Sequence, residues 1–169
     1  MSLDRKLQPF QVLAAAIASE IDAIAFYTKL QEKVKNIILL QKLKFLAFEE
    51  EQHRRMLQKL FGQRFADKPL EVPDDSPLPK LSASLEDDPP IVDLFRAALD
   101  AEEIAGSFYE ESGKAAEDEG SRRLLAYLSR VERSHAAMIR SELDLLVKYP
   151  DYYAVEDFHI GQDLFHVGP

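Results

Sequence analysis

Six side chains of the kinds that bind metal ions stand at regular spacing in this sequence. They are Glu20, Glu50, His53, Glu102, Glu132 and His135. Four of them form two Glu-x-x-His motifs, and on a helix that spacing places the carboxylate and the imidazole on one face about a turn apart. The other two glutamates each precede one motif. Carboxylate oxygens and imidazole nitrogens are a ligand set suited to Fe, Mn or Zn, so the pattern predicts a metal site.

The residues around these six side chains follow the spacing of amphipathic helices. Apolar residues recur three and four positions apart in two segments, roughly 9–61 and 90–148, and the alternation of half-buried strands is missing. All six metal-binding residues stand where this rhythm requires an apolar side chain, so we expect them to point inward. Ionised carboxylates in a bundle interior are strongly destabilising unless they are paired or metal-bound. Two divalent cations would balance the four glutamates, which predicts a dinuclear site.

The two segments are related by an internal repeat of 82 residues. Residues 9–60 and 91–142 form 52 aligned pairs, of which 11 are identical. The identical pairs include the six candidate ligands and also Tyr27 with Tyr109. Two copies of one helical hairpin predict a four-helix bundle whose halves are joined by a long crossover.

The expected elements follow from the periodicity and its breaks. We predict helices near 9–34, 37–61, 90–118 and 121–148. Proline, serine and aspartate collect between residues 69 and 90, which indicates a crossover over 62–89. Gly120 is expected to end the third helix and Ser121 to N-cap the fourth.

Length and composition favour one cytoplasmic domain, here 1–148 with a C-terminal extension over 149–169. The 169 residues include no cysteine, which excludes disulfides, iron–sulfur clusters and thiolate zinc sites and fits a reducing compartment. The net charge of −9 argues against nucleic acid or an anionic membrane as a partner. No apolar run approaches the ~20 residues of a membrane span, and the N-terminus lacks the apolar region of a signal peptide.

Four segments of the sequence resemble the ferritin-like superfamily, and most closely its rubrerythrin and bacterioferritin branch. They are residues 20–27, 46–53, 102–109 and 128–135, and the resemblance covers about 10–147. It implies an all-α, up-down four-helix bundle with a di-iron centre. It further implies that the glutamates of the two motifs bridge the metals, that the other two glutamates are terminal ligands, and that each histidine binds one metal. The activity implied is oxidation of Fe(II) by O₂ or H₂O₂.

The sequence also departs from the rubrerythrin pattern. Without cysteine the chain has no rubredoxin-like module, so a separate electron-donor protein would supply electrons, and Ala105 stands where rubrerythrins usually carry a further glutamate. Two other functions stay open. One is a di-metal oxygenase acting on an organic substrate, for which Gly106 would leave a local gap, and the other is a metal-binding module without catalysis, loaded for example with Zn.

Residues close to the candidate ligands carry separate expectations. Tyr27 and Tyr109 lie two turns beyond a glutamate ligand, and they either hydrogen-bond a ligand carboxylate or simply pack in the core. Glu49, Glu51 and Glu103 are rotated by ~100° from their neighbouring ligands on a helix, so we expect them to face solvent or another subunit. Glu103 is the alternative to its neighbour as third-helix ligand, and the repeat favours Glu102.

The C-terminal extension is rich in aromatic residues. They include Tyr152, Tyr153, Phe158 and Phe165. We expect this segment to dock on the bundle or to contact another subunit in a homodimer or higher homo-oligomer. His159 and His166 lie in the same irregular segment, and we assign them no metal.

Overall fold

Four long helices account for most of the chain in the computed structural model, which describes residues 7–72, 76–86 and 88–153. They are α1 (Pro9–Gln31), α2 (Ile37–Arg64), α3 (Ile91–Ala115) and α4 (Glu119–Lys148). Short 3-10 helices cover Leu81–Leu85 and Pro150–Tyr153. No β-strand is present in these described ranges, and the predicted all-α, ferritin-like bundle is confirmed.

The boundary between the two helices of the second hairpin differs from the prediction. α3 ends at Ala115 and α4 already begins at Glu119, so Gly120 does not end α3 but lies in the first turn of α4. The N-cap is Asp118, whose Oδ1 accepts a hydrogen bond from the Ser121 backbone N–H at 2.8 Å. The prediction of Ser121 as the cap was wrong because a carboxylate three residues earlier accepts from a free backbone N–H of the first turn, that of Ser121 itself. At the other ends, α1 stops at Gln31 and α2 continues to Arg64.

The first hairpin uses an equivalent cap. Asn36 Oδ1 accepts hydrogen bonds from the backbone N–H groups of Ile38 at 3.0 Å and Leu39 at 3.1 Å, and the residue is buried. The 82-residue repeat aligns Asn36 with Asp118, so the second helix of each hairpin starts in the same way.

Contacts between the hairpins define the directions of the helices. The Tyr27 hydroxyl donates to Glu102, and the Tyr109 hydroxyl donates to Glu20. Because residues 20 and 27 of α1 meet residues 109 and 102 of α3, these two helices are antiparallel. The helices run up, down, down and up, and the crossover therefore returns along the length of the bundle.

The apolar core is split into two clusters, one on each side of the level that holds the six candidate ligands. One cluster includes Phe26, Leu43 and Leu94, and the other includes Ile17 and Leu128. Both are built from the inward stripes of all four helices. The polar residues between them are therefore shielded from water at both ends of the bundle.

The crossover packs along α1 and α3 through its 3-10 helix. Leu78 and Leu81 are buried. The Ser82 backbone N–H donates to Asp22 Oδ2 on α1 at 2.9 Å, and the Ser82 hydroxyl donates to the other oxygen of the same carboxylate. These two bonds attach the crossover to the middle of α1.

α1 is the most apolar of the helices. By length and composition alone its 23 residues are sufficient to cross a membrane, a property that the core helices of bundles share. It buries Leu13, Ile17 and Glu20 within the bundle. The expectations placed on Phe158, His159, Phe165 and His166 lie outside the described residues.

The cap of α2 yields a first prediction. Replacing Asn36 by alanine leaves two backbone N–H groups without their acceptor at a buried position, which is expected to lower the free energy of unfolding by about 1 to 2 kcal/mol. Urea unfolding of the metal-free protein measures this loss. Asn36→Asp keeps an acceptor and should lose less, and an unchanged midpoint for Asn36→Ala would contradict the assigned cap.

Candidate metal centre

The structure brings all six predicted ligand residues into one cluster in the centre of the bundle. Each of these residues is buried, with at most 4% of its surface exposed. α1 and α3 contribute one glutamate each, and α2 and α4 contribute a glutamate and a histidine each. As the Glu-x-x-His spacing predicts for a helix, both side chains of each motif project from the same helical face.

The first half of the cluster surrounds His53. Its Nδ1 lies 2.9 Å from Glu50 Oε2 and 3.0 Å from Glu132 Oε1, and Glu20 Oε2 is 3.7 Å away. Three of these side chains come from the first hairpin, and Glu132 comes from the second.

The second half surrounds His135 in the same way. Its Nδ1 lies 3.1 Å from Glu50 Oε1, 3.3 Å from Glu132 Oε2 and 3.7 Å from Glu102 Oε2. The two imidazole rings stack with their centroids 5.6 Å apart and their planes inclined by 19°. The repeat in sequence thus becomes a two-fold arrangement of side chains in space.

These side chains form two overlapping groups of potential ligands. In each group four ligand atoms lie within 4.8 Å of one another. Glu20 and His53 belong only to the first group, and Glu102 and His135 belong only to the second. Glu50 and Glu132 belong to both groups, which is the placement that bridging carboxylates require.

The tyrosines of the repeat hold the two unshared glutamates from the opposite hairpin. Tyr27 donates its hydroxyl hydrogen bond to Glu102 and Tyr109 donates to Glu20. Burial, reinforced by the carboxylates nearby, raises the pKa of both phenols well above the usual range, so they act as donors. Of the two roles left open by the sequence, the structure therefore shows the hydrogen bond.

The electrostatics of the cluster are those of anions removed from water. Burial and the nearby charge of Glu50 raise the pKa of Glu20 to about 8, and burial and Glu20 raise the pKa of Glu132 to about 7. Burial by itself would lower the pKa of each histidine, but the carboxylates that surround each ring outweigh the effect of burial. The pKa of His53 consequently lies far above its usual range, and that of His135 rises to about 12. Protons held at these positions partly neutralise the negative charge.

The donor set fits a pair of divalent cations. Several of its buried polar atoms make no hydrogen bond of acceptable geometry within the described part of the chain, although Glu132 Oε1 lies 3.0 Å from His53 Nδ1 and Glu50 Oε1 lies 3.1 Å from His135 Nδ1. They include Glu50 Oε1, Glu132 Oε1 and both ring nitrogens of His135. Such atoms are destabilising in a protein interior, and a cation among them would satisfy the oxygens and the Nδ1 atoms together. Two charges of +2 also balance the four carboxylates.

The neighbouring glutamates take no part in either group. Glu103 is half exposed and pairs with Arg140 on the surface of α4, so the register chosen from the repeat places Glu102, and not Glu103, in the cluster. Glu51 pairs with Arg54 and Arg55 along α2. Glu49 likewise belongs to neither group.

The gap expected at Gly106 is not present. A Cβ atom built there would lie 3.3 Å from Arg133 Cγ and 3.5 Å from the Ser129 carbonyl oxygen, and the Ser129 hydroxyl donates to the Gly106 carbonyl at 2.7 Å. Glycine at this position allows α4 to approach α3 closely.

A small cavity instead opens between α1, α3 and the crossover. Its volume is about 20 Å³, which is room for about one or two molecules the size of water. All four glutamates of the cluster line it, together with small residues of α1 and α3 and two residues of the crossover. These other lining residues are Ser19, Ala23, Ala101, Ala105, Pro79 and Leu81. The histidines are not among the lining residues, so the cavity reaches the cluster through its carboxylates.

Comparison with known proteins identifies the family. The rubrerythrin family model matches residues 11–143. The chain belongs to the rubrerythrin family. A solved structure of a hypothetical protein from Pyrococcus furiosus is similar to it, with 36% sequence identity, a TM-score of 0.79, and coverage of 86% of this chain and 94% of the other. The comparison with curated proteins found no match.

Membership in the rubrerythrin family and the buried carboxylate and histidine cluster together are compatible with a di-iron site. In this rubrerythrin-family chain, Ala105 lines the cavity, at the position where the family resemblance led us to expect an additional glutamate. A methyl group in place of a carboxylate keeps that wall small and uncharged.

Three features of the site were missed by the sequence analysis. The partner of each tyrosine lies in the other hairpin, which the antiparallel pairing of α1 with α3 would have indicated. The cavity depends on where the crossover docks, and no periodic pattern marks that position. The Asp22 and Ser82 contact joins residues 60 positions apart, and neither residue type is unusual in its place.

The tyrosine contacts yield a second prediction. Tyr27→Phe and Tyr109→Phe each remove the hydroxyl that positions one glutamate and are expected to weaken metal affinity by about 10- to 100-fold. Anaerobic titration of metal-free protein with Mn(II) measures the affinity. Tyr127→Phe, on an exposed position of α4, is the matched control and should bind like the unmodified protein. Equal affinity in all variants would show that these bonds do not orient ligands.

Proposed function

We propose that this chain is a non-haem di-iron protein that reacts with O₂ or H₂O₂, as a ferroxidase or a peroxidase in iron handling or oxidative-stress defence. The observation that carries the proposal is the pair of four-residue groups that share Glu50 and Glu132, directly beside a cavity of small-molecule size. Mn or Zn could occupy the same donor set, since imidazole and carboxylate ligands suit all three metals.

Each residue of the cluster has a defined place in this proposal. Glu20 and His53 would hold one metal, Glu102 and His135 would hold the other, and the two shared glutamates would contact both. A pair of ferrous ions held there would supply two electrons in total, enough to reduce H₂O₂ with two protons to two water molecules and leave two ferric ions. The carboxylates that line the cavity are the groups nearest to an entering oxidant.

The surrounding residues of the chain would position and protect this chemistry. Tyr27 and Tyr109 keep the unshared glutamates in place by hydrogen bonds. The apolar clusters above and below the site exclude water from the bundle axis, which strengthens every electrostatic interaction inside. To return the metals to the ferrous state, an electron donor is required, and we propose a separate redox protein because this chain contains no cysteine.

The size of the cavity argues against an organic substrate. A volume of about 20 Å³ admits a diatomic or similarly small molecule, whereas pockets for drug-sized ligands are about 300 to 1,000 Å³. The close packing at Gly106 removes the one feature of the sequence that favoured a larger pocket.

The central experiment adds Fe(II) to the metal-free protein without oxygen and then supplies O₂ or H₂O₂. We expect two Fe(II) to bind per chain, followed by ferric absorbance and consumption of oxidant. Faster oxidation by peroxide would favour a peroxidase, and faster oxidation by O₂ a ferroxidase. Stable binding of two Fe(II) or Zn(II) with no reaction toward either oxidant would instead support a metal-binding module and contradict the proposal.

A third prediction compares adjacent glutamates of α3. Glu102→Ala should lose the tight binding of one of the two metals, because Glu102 belongs to only one group. Glu103→Ala changes the neighbouring, half-exposed residue and should still bind two. Metal analysis after gel filtration measures both stoichiometries.

The shared glutamates extend this comparison. The double variant Glu50→Ala with Glu132→Ala removes the side chains common to both groups and should fail to bind a second metal. Retention of two metals per chain by this double variant would refute the bridging role.

A further inference from the structure

We propose that the crossover limits the size of the oxidant that can reach the site. Leu81 is the residue that selects by size, and the hydrogen bonds between Ser82 and Asp22 hold Leu81 in place. The identity of the oxidant rests on the proposed function. The size limit itself is a property of the protein without metal, and it can be tested separately.

The position of Leu81 supports this role. Leu81 is 5% exposed and packs into the apolar cluster that includes Phe26 and Leu94, so its side chain is held by the core. It also lines the cavity together with Pro79. Among the described cavity-lining residues these two belong to the crossover, and the others come from the four helices.

The rest of the cavity wall offers little resistance to an entering molecule. Ala23 and Ala105 stand at equivalent positions of the repeat, on α1 and α3, and both line the cavity. The other lining residues from the helices are the small residues Ser19 and Ala101 and the carboxylates of the cluster. Leu81 is thus the bulkiest apolar side chain on the wall. Truncating it to alanine should enlarge the space next to the glutamates, whereas the apolar lining residues of α1 and α3 are already alanines.

The attachment of the crossover to α1 fixes Leu81 in position. Ser82, the next residue, donates hydrogen bonds from both its backbone N–H and its hydroxyl to the carboxylate of Asp22. Asp22 is two residues from the cluster ligand Glu20 but on a different face of α1. Two hydrogen bonds from one residue to one charged acceptor hold the start of the 3-10 helix against the bundle, since bonds to charged groups are stronger than neutral ones.

The first test uses the metal-free protein and the absence of native cysteine. Ser19→Cys places a single thiol in the cavity wall with a change of one atom, and Ser107→Cys places one on an exposed position of α3 as the control. The probes are two uncharged thiol reagents, the small methyl methanethiosulfonate and the larger 4,4′-dithiodipyridine. The measured quantity is the ratio of their labelling rates at each position.

We expect the ratio of the larger reagent's labelling rate to the smaller reagent's rate to be about tenfold lower at Ser19→Cys than at Ser107→Cys. Adding Leu81→Ala to the Ser19→Cys protein should bring this ratio close to that of the exposed control. Asp22→Ala should increase labelling at Ser19→Cys by both reagents, because the 3-10 helix loses its attachment. Ser84→Ala, on the same turn but without a described hydrogen bond to α1, should change neither rate. An unchanged ratio in Leu81→Ala would overturn the proposal, and if that variant fails to fold, an unchanged rate in Asp22→Ala would do so.

The second test connects the size limit to the reaction. In the intact protein, bound Fe(II) should be oxidised faster by H₂O₂ than by tert-butyl hydroperoxide, by about tenfold more than the ratio of the two rates for free Fe(II). In Leu81→Ala this ratio of oxidation rates should be smaller. Here tert-butyl hydroperoxide accepts two electrons and two protons to give tert-butanol and water. If the labelling ratios change as expected but no variant reacts with either peroxide, the proposed function fails and the size limit stands. Equal discrimination by both proteins would mean that Leu81 does not select the oxidant.

Discussion

The structure depends on the burial of four carboxylates and two imidazoles at one level between two apolar clusters. Carboxylates in such surroundings are stable only if they hold protons or contact cations. The raised pKa values of Glu20 and Glu132 correspond to the first solution. The oxygen and nitrogen atoms that make no hydrogen bond of acceptable geometry are available to a cation, which is the second. The buried ionisable groups thus make the centre of the bundle less stable than an apolar core would be, and strongly shifted pKa values of this kind are characteristic of functional sites.

Neither hairpin contains a complete ligand group. The first group takes Glu132 from the second hairpin, and the second group takes Glu50 from the first. The tyrosines also link the two hairpins, because each one donates a hydrogen bond to a glutamate of the opposite hairpin. Binding of two metals would therefore join the hairpins, and the two-fold arrangement follows directly from the 82-residue repeat once α1 and α3 are antiparallel.

Much of this arrangement was predictable because helical periodicity is a strong local signal. Polar residues such as Glu20 and His53 at inward positions of otherwise apolar stripes, repeated in register, indicated both the bundle and the cluster. The cap at Asp118 was missed because Ser121 and Gly120 offered a plausible alternative within three residues. The cavity was missed for a different reason, since it depends on the docking of a proline-rich crossover that has no periodicity.

The site is therefore two-sided. The carboxylates line a cavity that the crossover borders on one side, while the histidines of α2 and α4 are not among its lining residues. Anomalous diffraction at the iron edge, from crystals grown anaerobically with Fe(II), tests the central claim most directly. Two iron peaks inside the bundle, one beside the Nδ1 atom of each histidine and both in contact with Glu50 and Glu132, are the predicted result. A map with no peak there, and with the six side chains contacting only one another, would contradict it.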